Sequence, residues 1–272
     1  MHRRTAPRGR LVRALLCGVL ALLPAFAGGV AAASPANAGT VAQACGTDTT
    51  ALGRPDRPVA GSLVSAVRAD GRTEQFQQFY DTSTMGGLPF VWHRSQDEPG
   101  GAYGDWERVS ATPVGPKLYE VDAVENSAGG LEVFFASYGG FCHTVLRTPD
   151  DAWPPAESFE LAPPPYHGGL TLFKDRDGRL HAFAASRSTG AAMEVRSQYA
   201  TADDRWGGVR ATGPVPESSV GLSAPSSVTQ LPDGRLRLVA REWNRDRFWT
   251  VTEREPFLAW GPWRLCADAS CS

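Results

Sequence analysis

A charged tetrapeptide recurs in this chain and limits what it can fold into. Asp-Gly-Arg-Leu occurs at 177–180 and at 233–236, and Asp70-Gly71-Arg72 is a shorter copy. Asp-Gly accepts positive φ with little strain, so it typically makes a tight hairpin between two strands. The alternative is a calcium loop at Asp175-Arg176-Asp177-Gly178, but no further acid follows where such a loop needs oxygen ligands. We therefore interpret the repeated phrase as a hairpin turn and predict no metal site or other cofactor.

The hairpin glycine and a later aromatic residue define a repeat. The turn glycines are Gly71, Gly129, Gly178 and Gly234. The late aromatics are Tyr103, Trp153, Trp206 and Trp260. Both series advance in steps of 49 to 58 residues, so two independent landmarks agree on a period near fifty.

Each repeat contains four short segments rich in β-branched and aromatic residues. In the third repeat they are 170–176, 180–186, 193–200 and 207–213. No amphipathic helix pattern interrupts the segments. Four units of four antiparallel strands predict an all-β chain folded as a four-bladed β-propeller, because radial repetition leaves few exposed strand edges. Five blades remain the alternative, since the repeat spacing is uneven.

The first 38 residues have the pattern of a secretory signal peptide. Residues 1–13 contain five arginines and no acid, residues 11–30 are mostly apolar, and Ala36-Asn37-Ala38 provides a small-x-small cleavage site. No later apolar run reaches the roughly 18 residues of a membrane span. We predict a signal peptide at 1–38, an N-terminal tail at 39–58 that contains Cys45, and a propeller domain at 59–272 of a secreted protein.

The charge of the processed chain argues against one class of partner. Residues 39–272 contain 22 basic and 29 acidic residues, which gives a net charge of −7. A chain with this excess of negative charge has no general attraction to nucleic acid.

Four cysteines remain after cleavage, and an even number in an exported chain favours disulfides. They are Cys45, Cys142, Cys266 and Cys271. The short spacing of Cys266 and Cys271 suits a local bridge, which leaves Cys45 for Cys142. Pairing of Cys45 with a C-terminal cysteine would instead join the two ends of the chain, and spacing does not decide between these pairings.

The repeat resembles a known family of lectins. The pattern of Asp-Gly-Arg-Leu, an Arg-Ser-Gln strand and a Trp-x-x-Trp pair is similar to tectonin-like and fucose-lectin-like propellers over residues 59–272. That resemblance implies non-covalent sugar binding in pockets between neighbouring blades, formed by aromatic rings, Arg and acidic side chains.

Strand alternation groups the candidate binding residues. It places Trp92, Arg94 and Gln96 on one face of a strand. The equivalent set in the third repeat is Glu194, Arg196 and Gln198, and Trp249 occupies the matching position in the fourth. An aromatic plate beside polar side chains suits a sugar, whose C–H face stacks on a ring while its hydroxyls need polar partners. The opposing interpretation is that these side chains pack between blades.

The sequence therefore predicts a secreted, lectin-like protein whose partners are glycans or glycosylated surfaces. One alternative is a propeller glycosidase, which needs two carboxylates about 5–10 Å apart. Its acids would come from a set that no motif singles out, Glu107, Asp122, Glu160 and Glu194. A second alternative is a protein-interaction scaffold without affinity for sugar. No nucleophile elbow is present, so we predict no catalytic residue.

Overall fold

The structure is a computed structural model. It describes residues 45, 55–81, 87–114, 121–137, 140–148, 151–161, 169–186, 192–199, 205–216, 221–243, 245–267 and 271, all within the unit Asn37–Ser272. The predicted leader at 1–38 lies outside the described residues, as does most of the tail at 39–58. In the described part of the chain every regular element is a β-strand. No helix there has the length and apolar character needed to cross a membrane.

The strands form four antiparallel sheets that follow one another along the chain. The first contains β1 (Arg57–Pro58), β2 (Val64–Val67), β3 (Thr73–Asp81), β4 (Leu88–Ser95) and β5 (Glu107–Arg108). The second contains β6 (Asp122–Glu125), β7 (Leu131–Ser137), β8 (Gly140–Leu146) and β9 (Glu157–Ser158). The third contains β10 (Leu170–Lys174), β11 (Leu180–Ala185), β12 (Met193–Ser197) and β13 (Arg210–Ala211). The fourth contains β14 (Leu222–Gln230), β15 (Leu236–Glu242), β16 (Phe248–Glu255), β17 (Ala259–Trp260) and β18 (Arg264–Leu265).

Each sheet is a four-stranded meander, although two of them carry a broken edge strand. In the first sheet β1 and β2 pair with successive parts of β3, and in the fourth β17 and β18 pair with successive parts of β16. The predicted all-β class and the unit of four antiparallel strands are therefore confirmed. Closure of these units into a propeller, and the number of its blades, remain predictions.

The hairpin interpretation of the repeated phrase is confirmed. The four turn glycines all have φ between 82° and 87°. In the third sheet, Asp175 Oδ1 accepts hydrogen bonds from the backbone N–H of Asp177 at 3.0 Å and of Arg179 at 2.8 Å. The carboxylate thus holds the turn between β10 and β11 by satisfying backbone donors, as Asp commonly does in tight turns.

The core lies between successive sheets. We call the face of a sheet that turns toward the next sheet its forward face, and the opposite face its backward face. Phe76 on the forward face of the first sheet packs with Val133 and Phe135 on the backward face of the second. Phe134 and Phe183 repeat this arrangement in the second and third sheets.

The late aromatic of the second, third and fourth repeats completes these layers. Trp153 packs edge-on to Phe76 at 5.5 Å between ring centroids, and Trp206 packs edge-on to Phe134 at 5.6 Å. Trp260 meets Phe183 at 6.5 Å in the same way. The repeat in the sequence therefore exists because each unit must bury the same ring of the unit before it.

Of the two disulfides, one is buried in the core and the other lies near the C-terminus. Cys45 is bonded to Cys142 in β8, and Cys266 is bonded to Cys271 just after β18. The structure thus selects the local C-terminal bridge over a bond that joins the two ends of the chain.

Candidate functional site

In the first sheet, the predicted binding residues are engaged with the protein itself. Trp92 is 4% exposed and packs in a cluster with Phe79 and Phe90. The Arg94 guanidinium lies over the rings of Tyr103 and Trp106, with centroid distances of 4.7 and 4.5 Å.

Gln96 and Gln198 have the same structural role in two sheets. Gln96 Oε1 accepts a hydrogen bond from Thr73 N at 2.9 Å, and Gln198 Oε1 accepts one from Leu180 N at 3.1 Å. Each amide therefore satisfies the first N–H of the strand that follows the hairpin. This use of a repeated polar residue is a property of the turn and explains why Gln recurs there.

Glu194 and Trp249 also have partners within their own sheets. Glu194 Oε1 accepts a hydrogen bond from Ser186 Oγ at 3.1 Å. Trp249 is 4% exposed, and its Nε1 donates to Glu242 Oε2 at 3.4 Å. The seven predicted binding residues lie on three sheets and do not converge on one site, but Arg196 borders a cleft.

That cleft lies at the junction of the second and third sheets and has a volume of about 540 Å³. We call it the 2/3 cleft. Its walls carry aromatic rings, guanidinium groups, carboxylates and hydroxyls. They are formed by His143, Thr144, Val145, Arg147, Pro154, Pro155, Glu157, Ser158, Phe159, Glu160, Arg196, Tyr199, Arg205 and Trp206.

The aromatic wall of the 2/3 cleft contains one strongly exposed ring. Tyr199 is 66% exposed, although it is a large side chain next to a packed interface. Beside it, Trp206 packs edge-on to the buried ring of Phe159 at 4.9 Å and is held in place by this contact. Tyr199 and Trp206 thus give the cleft aromatic surface on which a ligand can stack.

Arg196 stiffens the wall between the two sheets. Its Nη1 donates to Phe159 O at 2.6 Å in the second sheet, and its Nε donates to Gly207 O at 2.8 Å in the third. Burial lowers the pKa of Arg196 below its ordinary value, against the opposing charges of Glu160 and Tyr199. The guanidinium stays protonated, since its ordinary pKa is far above neutrality. Its main role is therefore to fasten the backbone around the cleft.

Two exposed carboxylates border the same cleft. Glu157 lies in β9, and Glu160 follows three residues later with φ of 57°. A positive φ is uncommon for a residue other than glycine and costs on the order of 1–3 kcal/mol, so it tends to persist where the surrounding structure enforces it. Here the Glu160 carboxylate approaches Arg196 Nη2 at 3.9 Å.

A buried carboxylate supports the aromatic wall of the 2/3 cleft from behind. Glu132 is fully buried and accepts hydrogen bonds from Gln198 Nε2 at 2.5 Å and Trp206 Nε1 at 3.1 Å, both in the third sheet. Within the second sheet it also meets Asn126 Nδ2 at 2.9 Å and His143 Nε2 at 2.8 Å. With all four partners in place, the network fixes Trp206 and the sheet junction.

Sequence reasoning missed Tyr199 and Glu157 and considered Glu160 only as one acid among several. Tyr199 lies beyond the end of β12 at Ser197, so strand alternation no longer predicts where its side chain points. The signal that was available was the conspicuous aromatic directly after the Arg-Ser-Gln phrase.

Comparison with known proteins places the chain by fold. No protein-family model matches it, and no curated protein matches it. A protein of unknown function from Dyadobacter fermentans superposes with a TM-score of 0.50 at 11% identity, covering 79% of this chain and 71% of that one.

Two carbohydrate-active proteins are also similar. An ulvan lyase of polysaccharide lyase family PL25 gives a TM-score of 0.50 at 10% identity, covering 75% of this chain and 56% of the lyase. The NanB sialidase of Streptococcus pneumoniae gives 0.47 at 9% identity, covering 83% of this chain and 54% of the sialidase. The chain thus spans little more than half the length of either enzyme, and at this identity the likeness is one of fold alone.

Proposed function

We propose that the protein is an exported, lectin-like propeller that binds a saccharide non-covalently in the 2/3 cleft. The observation that carries the proposal is the exposed Tyr199 ring, which lines the same cleft as Trp206, Glu157 and Glu160. Pyranose rings stack their C–H faces on such aromatics, and carboxylates accept hydrogen bonds from sugar hydroxyls.

The position of the cleft agrees with what the resemblance to tectonin-like lectins implies, since it lies between neighbouring sheets. Its volume of about 540 Å³ is within the range of small-molecule sites, which is about 300–1,000 Å³. The sheet assembly is shared with a polysaccharide lyase, so a fold of this kind accommodates carbohydrate in at least one other protein. The two disulfides suit an oxidising, extracellular setting.

A glycan array probed with the processed chain is the first test, followed by titration calorimetry with the best ligand. Tyr199→Ala should weaken binding at least about tenfold, a loss of about 1.4 kcal/mol. Tyr199→Trp should retain binding because it keeps a stacking ring. Leu258→Ala is the matched control, since Leu258 is 69% exposed in the fourth sheet. A folded sample that binds no glycan would favour the interaction-scaffold alternative and contradict the proposal.

The presence of two carboxylates in one cleft keeps the glycosidase alternative open. Glu157 and Glu160 both border the 2/3 cleft and are both exposed. A glycosidase would use one as acid and the other as nucleophile or base. Release of new reducing ends from a bound glycan, abolished by Glu160→Gln with binding retained, would establish the enzyme. Recovery of the glycan intact would establish the lectin.

A further inference from the structure

The forward face of the fourth sheet carries a row of guanidinium and hydroxyl groups. Arg237 lies opposite Thr252, and Thr250 lies opposite Arg264. Residues directly opposite on antiparallel strands point to the same face. Arg254 lies two residues after Thr252, at a register shift in β16. All five border one cleft of about 470 Å³. We call this set the arginine face.

This face differs from the forward faces of the other three sheets. Strand pairing makes Arg237 equivalent to Glu74, Glu132 and His181, which are all fully buried. Those three lie beneath the apolar backward face of the following sheet. Among the described residues, no hydrophobic cluster joins the fourth sheet to the first. Arg254 and Arg264 are exposed and Arg237 is half-buried, so the arginine face is a charged surface that solvent reaches.

The positive charge of the arginine face is largely uncompensated. Arg235 at its margin is neutralised by Asp233 at 2.7 Å, and the nearby Glu253 carboxylate meets Arg210 of the third sheet at 3.6 Å. Within the part of the chain that the structure describes, no carboxylate lies within ion-pair distance of Arg237, Arg254 or Arg264. Three unpaired guanidinium groups thus converge in a chain whose processed form has a net negative charge.

We propose that the arginine face is a second saccharide site, selective for sugars that carry carboxylate or sulfate groups. A planar guanidinium matches these oxyanions with two parallel hydrogen bonds, and Thr250 and Thr252 add hydroxyls for neutral parts of a sugar. A cleft of about 470 Å³ is larger than a single oxyanion requires and suits a short oligosaccharide. The net negative charge of the remaining surface disfavours extended nucleic acid.

The test is titration of the full processed protein with three tetrasaccharides: tetragalacturonate, a chondroitin sulfate tetrasaccharide and neutral maltotetraose. We expect one or both charged sugars to bind, with affinity that falls as salt rises. Arg237→Gln should weaken that binding at least about tenfold. Arg264→Gln should do the same, and because Arg264 is exposed on β18 its loss leaves the fold intact.

Arg241→Gln is the matched control. Arg241 lies on the same strand and face as Arg237, and its substitution changes the net charge by the same amount. Its guanidinium, however, is paired with the Asp246 carboxylate at 2.5 Å. It should alter affinity less than about twofold. Tyr199→Ala should leave binding at the arginine face unchanged, so failure here is distinguishable from failure at the 2/3 cleft.

Four results would overturn the proposal. Equal losses in Arg237→Gln and Arg241→Gln would show a diffuse charge effect. Binding of maltotetraose as tight as that of the charged sugars would remove the selectivity. Displacement of the bound sugar by an equal concentration of sodium sulfate would show that the face recognises a simple oxyanion and not a saccharide. Equally tight, Arg237-dependent binding of a DNA duplex would make it a general polyanion surface.

Discussion

The second and fourth sheets contain the same four-stranded unit, but they differ in what packs on their forward faces. Glu132 in the second sheet is buried and accepts four hydrogen bonds, two of them from the third sheet. Arg237 occupies the equivalent place in the fourth sheet and borders an open cleft. Whether a given position of the repeat contributes to stability or is available to a ligand therefore depends on which sheet packs next to it.

The disulfides provide the largest test of this comparison. Cys142 lies in the second sheet and closes a loop of 97 residues, whereas Cys266 follows the fourth sheet and closes a loop of 5. Loop-closure entropy predicts a loss of about 4.7 kcal/mol for the long loop and about 2 kcal/mol for the short one. Double Cys→Ala variants of each pair, unfolded in urea, measure both losses. Equal losses would contradict the loop-length account of these two bridges.

Removal of Glu132 is the next largest test. Glu132→Ala should cost about 3–5 kcal/mol, because it leaves buried donors on Gln198, Trp206 and Asn126 without an acceptor. Arg237→Ala at the equivalent position should cost about 1 kcal/mol or less, because Arg237 is only half-buried.

Urea unfolding measures both costs, and Glu132→Gln is the milder variant if Glu132→Ala does not fold. A cost for Arg237→Ala as large as that for Glu132→Ala would contradict the view that the fourth sheet is open on its forward face.

The sequence predicted the repeat well because packing enforces it. The hairpin glycines must reach positive φ, and Trp153, Trp206 and Trp260 must cover the ring of the preceding unit. Both kinds of residue therefore recur at a regular spacing in the sequence. Disulfide pairing leaves no such trace, since it depends on how the sheets approach one another.

The candidate site was harder to predict for a physical reason. Gln96 and Gln198 were predicted to bind sugar because they occupy the same position in two repeats. They recur because each hairpin needs an acceptor for a backbone N–H. Tyr199 does not recur and lies beyond its strand, so no period marks it. Recurring residues therefore report the architecture, whereas the residues proposed here for binding, Arg237 and Tyr199, depart from the repeat.

The smallest predicted change is in stability at acid pH. It concerns Glu74 in the first sheet, which occupies the repeat position of Glu132 and Arg237. Burial by itself would raise the pKa of Glu74, but hydrogen bonds from His93 and Ser95 and the charges of His93 and Arg68 outweigh burial and lower the pKa. A lowered carboxylate pKa gives stability that is complete above the unfolded-state value, about 4.3, and is lost as pH falls through the folded-state value. Each unit of lowering is worth about 1.4 kcal/mol.

Glu74→Gln should therefore flatten the decline of the unfolding free energy below about pH 4.3. Arg237→Gln, at the equivalent position of the fourth sheet, should leave that decline as it is in the unaltered protein, because it removes no carboxylate. Urea unfolding at several pH values between about 3 and 7 gives both slopes. Parallel curves for Glu74→Gln and the unaltered protein would mean that the contacts of Glu74 with His93 and Arg68 do not favour its charged form. The buried Glu74 carboxylate would then make the first sheet no more sensitive to acid than the half-buried Arg237 makes the fourth.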